Sequence, residues 1–128
     1  MTVTTNLNEN FDPIGPYKTS IQVENLIFIS GQISKTFNKT QNNIIVQTKE
    51  ILNNIKSILK NHNAKVKDII KTTIFLTNLE NLDSVNSIYK KFFMKYSNQF
   101  PTRSCIEVSK LPYNASIEIE TIAYKKNR

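Results

Sequence analysis

Apolar residues recur along this chain with two different periods. From Ile44 to His62 the positions Ile44, Thr48, Ile51, Leu52, Ile55, Ile58 and Leu59 return every third or fourth residue, which predicts an amphipathic helix. Asn63 follows as a left-handed terminating residue where glycine is more usual. The same spacing in Val85, Ile88, Tyr89, Phe92 and Phe93 predicts a second helix beginning near Leu79. The strands read differently. "NLIFISGQI" (Asn25 to Ile33) is a strand that breaks at Gly31, and Ile69 to Thr77 is β-branched and aromatic. "RSCIEV" (Arg103 to Val108) and "ASIEIETIAY" (Ala115 to Tyr124) complete the set. The turn cluster "DPIGPY" (Asp12 to Tyr17) precedes the first strand, and the polar loop "SKTFNKTQNN" follows it. The order strand, helix, strand, helix, strand, strand predicts an α+β domain spanning residues 1–128, with two helices on one face of a sheet.

Such a sheet has a second face to account for. In "SIEIETIAY" alternation puts Glu118 and Glu120 on one side and Ile117 and Ile119 on the other. Along "RSCIEV", Arg103, Cys105 and Glu107 share a side, opposite Ser104, Ile106 and Val108. An arginine and several acids on one sheet surface would make a polar cleft, finished by another subunit; plain exposure to solvent gives the same pattern.

Composition narrows the class. A chain of 128 residues is long enough to bury one sizeable core. A single cysteine cannot form an intrachain disulfide, and the N-terminus has neither a basic n-region nor an apolar h-region. The longest apolar run, "LIFI", is too short to span a membrane. These features predict a soluble cytoplasmic protein without a membrane partner. The formal net charge of +7 raises the question of nucleic acid. Lys49, Lys56 and Lys60 fall near one face of the first helix with Asn53 between them, the pattern of a solvated outer face. No RNP-like strand, zinc knuckle or glycine–lysine phosphate loop supports nucleic-acid recognition.

Five segments in order carry a resemblance: "IGPY", "ISGQI", "IIKTTIFLTNLENLDSVNSIYKKFF", "FPTRSCIEVSKLP" and "IEIETIA". Together they resemble the RidA family of reactive intermediate (enamine/imine) deaminases over nearly the whole chain. The resemblance implies a chorismate-mutase-like homotrimer, in which three mixed sheets form a central β-barrel with helices outside and clefts between subunits. It implies hydrolysis of 2-imino acids such as 2-iminobutanoate and 2-iminopropanoate to 2-keto acids and ammonia, with no metal and no cofactor.

The resemblance also assigns roles. Arg103 matches the anchor for the substrate carboxylate, a task suited to a planar two-pronged donor; the alternative is a strand arginine paired with Glu107. Glu118, first acid of "IEIE", matches the group that activates water, with Glu120 as its rival on the same face. Tyr17 matches a cleft tyrosine, or wedges a turn. Ser30 and Gly31 match the segment on the carboxylate side, where glycine allows close backbone approach or marks a bend. Asn86 matches a pocket position on the second helix, or bonds a loop. Cys105 contributes its backbone, and its thiol is a packing group: the only histidine, His62, has no motif tying it to this strand. Lys18, Thr19 and Thr102 depart from the family's usual residues, as does the glycine-free loop after Gly31.

Two other readings compete. One is a non-catalytic, small-molecule-binding or regulatory trimer on the same scaffold, although relatives of that kind typically lose the arginine. The other is an RNA-acting protein, an older label of the family, for which the chain offers no paired acid and base with a suitable histidine.

Overall fold

The computed structural model describes residues 3–4, 15–35 and 43–126. In chain order the elements are β1 (Val3–Thr4), β2 (Ser20–Val23), β3 (Leu26–Gln32), α1 (Ile44–Asn61), β4 (Ile69–Leu76), α2 (Leu82–Tyr96), β5 (Thr102–Glu107) and β6 (Ile117–Tyr124). The strands form one sheet in the order β1-β2-β3-β6-β4-β5. Every neighbouring pair is antiparallel except β4 and β5, which run parallel and are joined through α2. The sheet is therefore mixed, and both helices pack on one face of it, as the sequence pattern predicts.

Local chemistry explains the boundaries. Asn43 caps α1 by accepting a hydrogen bond from the Val46 N–H at 3.1 Å. At the other end Asn63 is left-handed (φ 57°), as expected from the sequence. Its N–H donates to the Lys60 carbonyl, and the Ala64 N–H donates to that of Leu59, the paired closure of a Schellman motif. The α1 stripe Thr48, Ile51, Leu52, Ile55, Ile58 and Leu59 is buried, together with Gln47. The Gln47 side-chain Oε1 accepts from the Ser116 N–H at 3.1 Å, which satisfies a polar group inside the core. From α2, Val85, Tyr89, Phe92 and Phe93 join the same cluster, against Ile27, Ile29, Ile74, Leu76, Ile117 and Ile119 of the sheet. The second helix is introduced by a short 3-10 turn over Leu79–Asn81 and becomes α-helical at Leu82.

Two pairings depart from the sequence pattern: β2 pairs with β1, Val3 opposite Val23, and with β3. A single strand is predicted before the first helix, whereas β2 and β3 form a hairpin closed by Glu24 and Asn25, with Val23 opposite Leu26. Glu24 has φ 54°, a conformation usually given to glycine or asparagine in such turns, so the turn carries no recognisable signal. Asn63, Asn98 and Asn114 are also left-handed, while neither of the two glycines is. The bend expected at Asp12 to Tyr17 is described from Gly15 onward, where the Tyr17 N–H donates to the Gly15 carbonyl at 2.8 Å. Residues 12–14 and the loop residues 36–42 lie outside the described residues. Among the described residues no helix is long and apolar enough to cross a membrane.

The opposite face of the sheet carries Leu26, Phe28, Thr73, Phe75, Glu118, Glu120, Ile122 and Tyr124, and no described element covers it. Phe28 is 41% exposed there and Tyr124 45%.

The left-handed position after α1 is testable. Asn63→Val, which puts a β-branched side chain at φ 57°, is expected to lose about 1–2 kcal/mol of stability. Asn63→Gly is expected to remain within about 0.5 kcal/mol of wild type; urea denaturation of the three proteins measures both.

Candidate functional site

The sequence-derived candidates fall into two groups on opposite sides of the sheet. The first sits on β5, which among the described residues pairs only with β4 and leaves its other edge free. Arg103 lies opposite Thr72, and Cys105 opposite Ile74. Thr72 and Ile74 are buried toward the helices, so Arg103, Cys105 and Glu107 turn toward that side. The Arg103 Nη1 donates to Asn86 Oδ1 at 2.8 Å, and its guanidinium carbon lies 5.1 Å from the centre of the Tyr89 ring. Tyr89 is itself held by Thr72, with 2.6 Å between the two hydroxyls. Burial pushes the Tyr89 phenol up, opposed by the Thr72 bond and the arginine charge, so it is neutral at pH 7. Asn86 and Tyr89, one helical turn apart on α2, thus aim a guanidinium that is still exposed to solvent. Arginine has five N–H donors, so several can address a ligand beyond the bond to Asn86.

Glu107 does not pair with Arg103. It accepts from the Leu79 N–H at 2.9 Å and fixes the turn that leads into α2. The Thr102 hydroxyl donates to the Ile70 carbonyl at 2.8 Å. Cys105 is half-buried against the core; burial raises its thiol pKa and the nearby Arg103 charge only partly offsets this. A neutral thiol is a poor nucleophile. His62 is elsewhere, buried between Ser20 Oγ at 2.8 Å and Gln22 Oε1 at 3.2 Å. The Val108 N–H donates to the Leu76 carbonyl. Alternation from that residue turns the backbone N–H and C=O of Arg103, Cys105 and Glu107 outward from the free edge.

The second group gathers where β3 meets β6. The β3–β6 register slips between Ile29 and Gln32, and Ser30 and Gly31 occupy the irregularity. The irregularity stands opposite Glu120 in the register, and the Glu118 side chain reaches over to Gly31: a Cβ on that glycine would stand 2.5 Å from Glu118 Oε2 and 2.9 Å from its Cγ. Gly31 thus sits at the strand irregularity and is also closely approached by the Glu118 carboxylate. Ser30 donates from both its N–H (2.9 Å) and its Oγ (3.0 Å) to the Thr19 carbonyl, which ties the segment bearing Tyr17 to the bulge. Tyr17 is 45% exposed, with its ring against Gly15. Glu118 is half-buried, and burial, reinforced by the charge of Glu120, raises its carboxyl pKa above the ordinary carboxylate range. On the same open face a depression of about 370 Å³ is lined by Ser30, Lys18, Lys71, Thr73 and Glu120 among others.

The polar cleft expected from alternation, with the arginine and the acids on one sheet surface, is therefore not what the chain forms. Arg103 faces the helix side and Glu118 and Glu120 face the open side. The reason is register: Arg103 pairs with Thr72, whose other neighbour is Thr121, so Arg103 shares the phase of the buried residues of β6. One strand separates β5 from β6, about 10 Å across the sheet, and three residues of register add about 10 Å along it. Within one chain no small molecule touches both groups. In the sequence Tyr89 belongs to the apolar stripe of the second helix and Thr72 to a strand; the signal that links Tyr89 to the arginine is its spacing from Asn86. Among the described residues no three His, Cys, Asp or Glu side chains cluster as metal ligands.

Known proteins share this arrangement of sequence and fold. Residues 7–125 match the family described as endoribonuclease L-PSP. A RutC family protein of Buchnera aphidicola subsp. Baizongia pistaciae is 58% identical over 113 residues, covering 88% of this chain and 89% of that protein. The 2-iminobutanoate/2-iminopropanoate deaminase of Escherichia coli K12 is 38% identical over 115 residues, 88% of this chain and 90% of the enzyme. The crystal structure of the E. coli YjgF gene product superposes with a TM-score of 0.88 at 36% identity, covering 96% of this chain and 99% of that one. With a match spanning nearly its whole length, an α+β fold in common and relatives at these identities, the chain belongs to the RidA (endoribonuclease L-PSP) family.

Proposed function

We propose that the protein hydrolyses reactive 2-imino acids, of the 2-iminobutanoate and 2-iminopropanoate type, to 2-keto acids and ammonia. We further propose that its site is completed between copies in a homotrimeric ring. The observation that carries this reading is the opposed placement of Arg103 and Glu118. Each is prepared for a task, the guanidinium by Asn86 and Tyr89 and the carboxylate by Gly31 and burial, yet neither can serve one small substrate without the other. The surfaces that carry them are different, an open edge and an open sheet face. A contact between unlike surfaces is head-to-tail, and such contacts give a ring where the rotation between copies closes. The exposed Phe28 and Tyr124 on the open face and Ile106 on the edge strand supply apolar area for that contact.

In the proposed site Arg103 of one copy grips the substrate carboxylate with paired N–H donors, while the outward backbone of Cys105 borders the pocket. The neighbouring copy supplies Glu118, with Ser30, Gly31 and Tyr17 around it. Water adds to the imine carbon as Glu118 accepts its proton; the C=N π electrons move to nitrogen, which takes up a proton. The resulting carbinolamine loses ammonia as its hydroxyl oxygen forms the new C=O and releases its proton. One water is consumed and one ammonia released, with no change of oxidation state. Orientation and proton transfer are the whole of the catalysis required. That the E. coli relative is named a 2-iminobutanoate/2-iminopropanoate deaminase supports the same reading.

The deciding experiment follows keto-acid formation from threonine and a threonine dehydratase, with semicarbazide trapping free imine. Wild type is expected to accelerate it, and Arg103→Ala to lose about 10²-fold in kcat/KM. Glu118→Gln is expected to lose about 10²–10⁴-fold in kcat. When the two inactive variants are unfolded, mixed in equal amounts and refolded together, about a quarter of the wild-type activity should return, since half the chains at each of two positions are competent. No recovery from a properly assembled mixture would sink the shared site.

The acid limb of kcat/KM reports the same carboxylate. A base must be ionised, so activity should fall as pH drops through a Glu118 value raised above the usual carboxylate range. Glu120→Gln removes the like charge, the smaller of the two causes, and should move that limb to lower pH; a limb that moves to higher pH would count against Glu118 as the base. Cys105→Ala should keep most of the wild-type turnover in the same assay, because its thiol is neutral; loss of activity with an intact fold would return the sulfur to the chemistry.

A further inference from the structure

The outer surface of the two helices carries a second feature, separate from both halves of the proposed site. α1 and α2 run in the same direction: Ile45 and Ser84, near their starts, border the depression whose other end is closed by Lys95 and Tyr96. That depression measures about 610 Å³, and Leu52, Ile88 and Phe92 form its apolar floor. A second of about 580 Å³ lies beyond it, around Ala64 and Val66. Asn53 and Tyr96 line both, so the two make one groove along the helix pair.

The charge in this groove is one-sided. Lys49, Lys91 and Lys95 rim the first part, Lys56, Lys60 and Lys65 the second, and among the described residues no Asp or Glu lines either. Lys56 and Lys60 stand four residues apart on α1, as Lys91 and Lys95 do on α2. Like charges at that spacing destabilise a helix, so the arrangement works against the isolated fold on both sides of the groove. An anionic partner reverses the sign of that term. Two ammonium groups also converge on one ring: Lys56 Nζ is 4.0 Å and Lys95 Nζ 5.2 Å from the centre of Tyr96.

We propose that this groove binds an acidic amphipathic helix of a partner protein. The partner's apolar stripe lies against Ile45, which is 46% exposed, and the half-buried Ile88, above the buried side chains of Leu52 and Phe92. Its Asp and Glu flanks meet the lysine rims, the helix-in-groove mode of recognition. From Ile45 to Lys60 the groove follows α1 for about 22 Å, the length of a helix of about 15 residues. A single nucleic-acid strand fits less well: its bases need open aromatic faces, and the Tyr96 face is occupied by Lys56.

The probe is a fluorescein-labelled 16-residue peptide with leucines at i, i+3, i+4 and i+7 and glutamates flanking them. Two controls accompany it, a scrambled peptide of the same composition and a single-stranded RNA oligonucleotide of similar charge, all read by fluorescence anisotropy against the full-length protein. The patterned peptide is expected to bind at least about tenfold more tightly than either control, with affinity falling as salt rises. The double variant Lys91→Glu/Lys95→Glu should lose about tenfold or more of that affinity, with keto-acid formation unchanged. The neutral pair Lys91→Gln/Lys95→Gln, checked by thermal melting, should show an intermediate loss and guards against misfolding. Equal binding of patterned and scrambled peptides, equal or tighter binding of RNA, or indifference to both lysine variants would each overturn the proposal. Because imine turnover is followed in parallel, failure here is separable from failure of the deaminase reading.

Discussion

The alternation of one central strand sets the terms for everything else in this protein. β6 lies between β3 and β4, and its residues Ile117, Ile119, Thr121 and Ala123 point into the core while Glu118, Glu120, Ile122 and Tyr124 point away from it. A slip of one residue would exchange the two sets, burying two carboxylates under the helices and exposing the isoleucines. The hydrophobic term therefore fixes the register, and the register fixes where the chemistry is. Because α1 and α2 both cover the Ile117–Ile119 side, the carboxylate side is left without a cover from the described chain.

The same register divides the candidate site. Glu118 acquires its character from its neighbours: burial disfavours its charge, Glu120 adds repulsion, and Gly31 leaves room for the carboxyl group against the β3 backbone. Arg103 acquires its orientation from α2, through a hydrogen bond to Asn86 and a ring contact with Tyr89. Each half is well defined within the chain, and the two are held apart by an intervening strand and by opposite faces. Ordering an arginine costs side-chain entropy, and an ordering contact that leaves the guanidinium exposed places its donors toward a ligand. Cys105 shows the contrast, since its thiol is drawn into the core while its backbone faces outward along the edge.

Charge is distributed with equal selectivity. The net +7 is not spread evenly: six lysines line the groove between the helices, while the acids that bear on the proposed chemistry lie across the sheet. Exposed lysines are strongly hydrated and individually contribute little to stability. Their gathering around an apolar floor, with none of the groove's lining acidic, gives that surface a recognisable partner chemistry.

The sequence by itself determined the elements and much of the chemistry. The spacing of Ile51, Leu52, Ile55, Ile58 and Leu59 gave α1, Asn63 its terminus, and the alternation of "IEIE" a two-faced strand, because these signals are local and periodic. The ordered segments around Gly31, Arg103 and Glu118 were enough to indicate the family. The β2–β3 hairpin escaped because Glu24 takes a left-handed conformation that its side chain does not announce. Only the tertiary structure decided that Arg103 and Glu118 lie on opposite faces, since the phase of one strand against another depends on long-range pairing between β4, β5 and β6. It alone also brought the lysines of α1 and α2 into one groove. Periodicity states which residues share a side of their own element; which sides meet is settled by the packing of one core that all the elements must bury together.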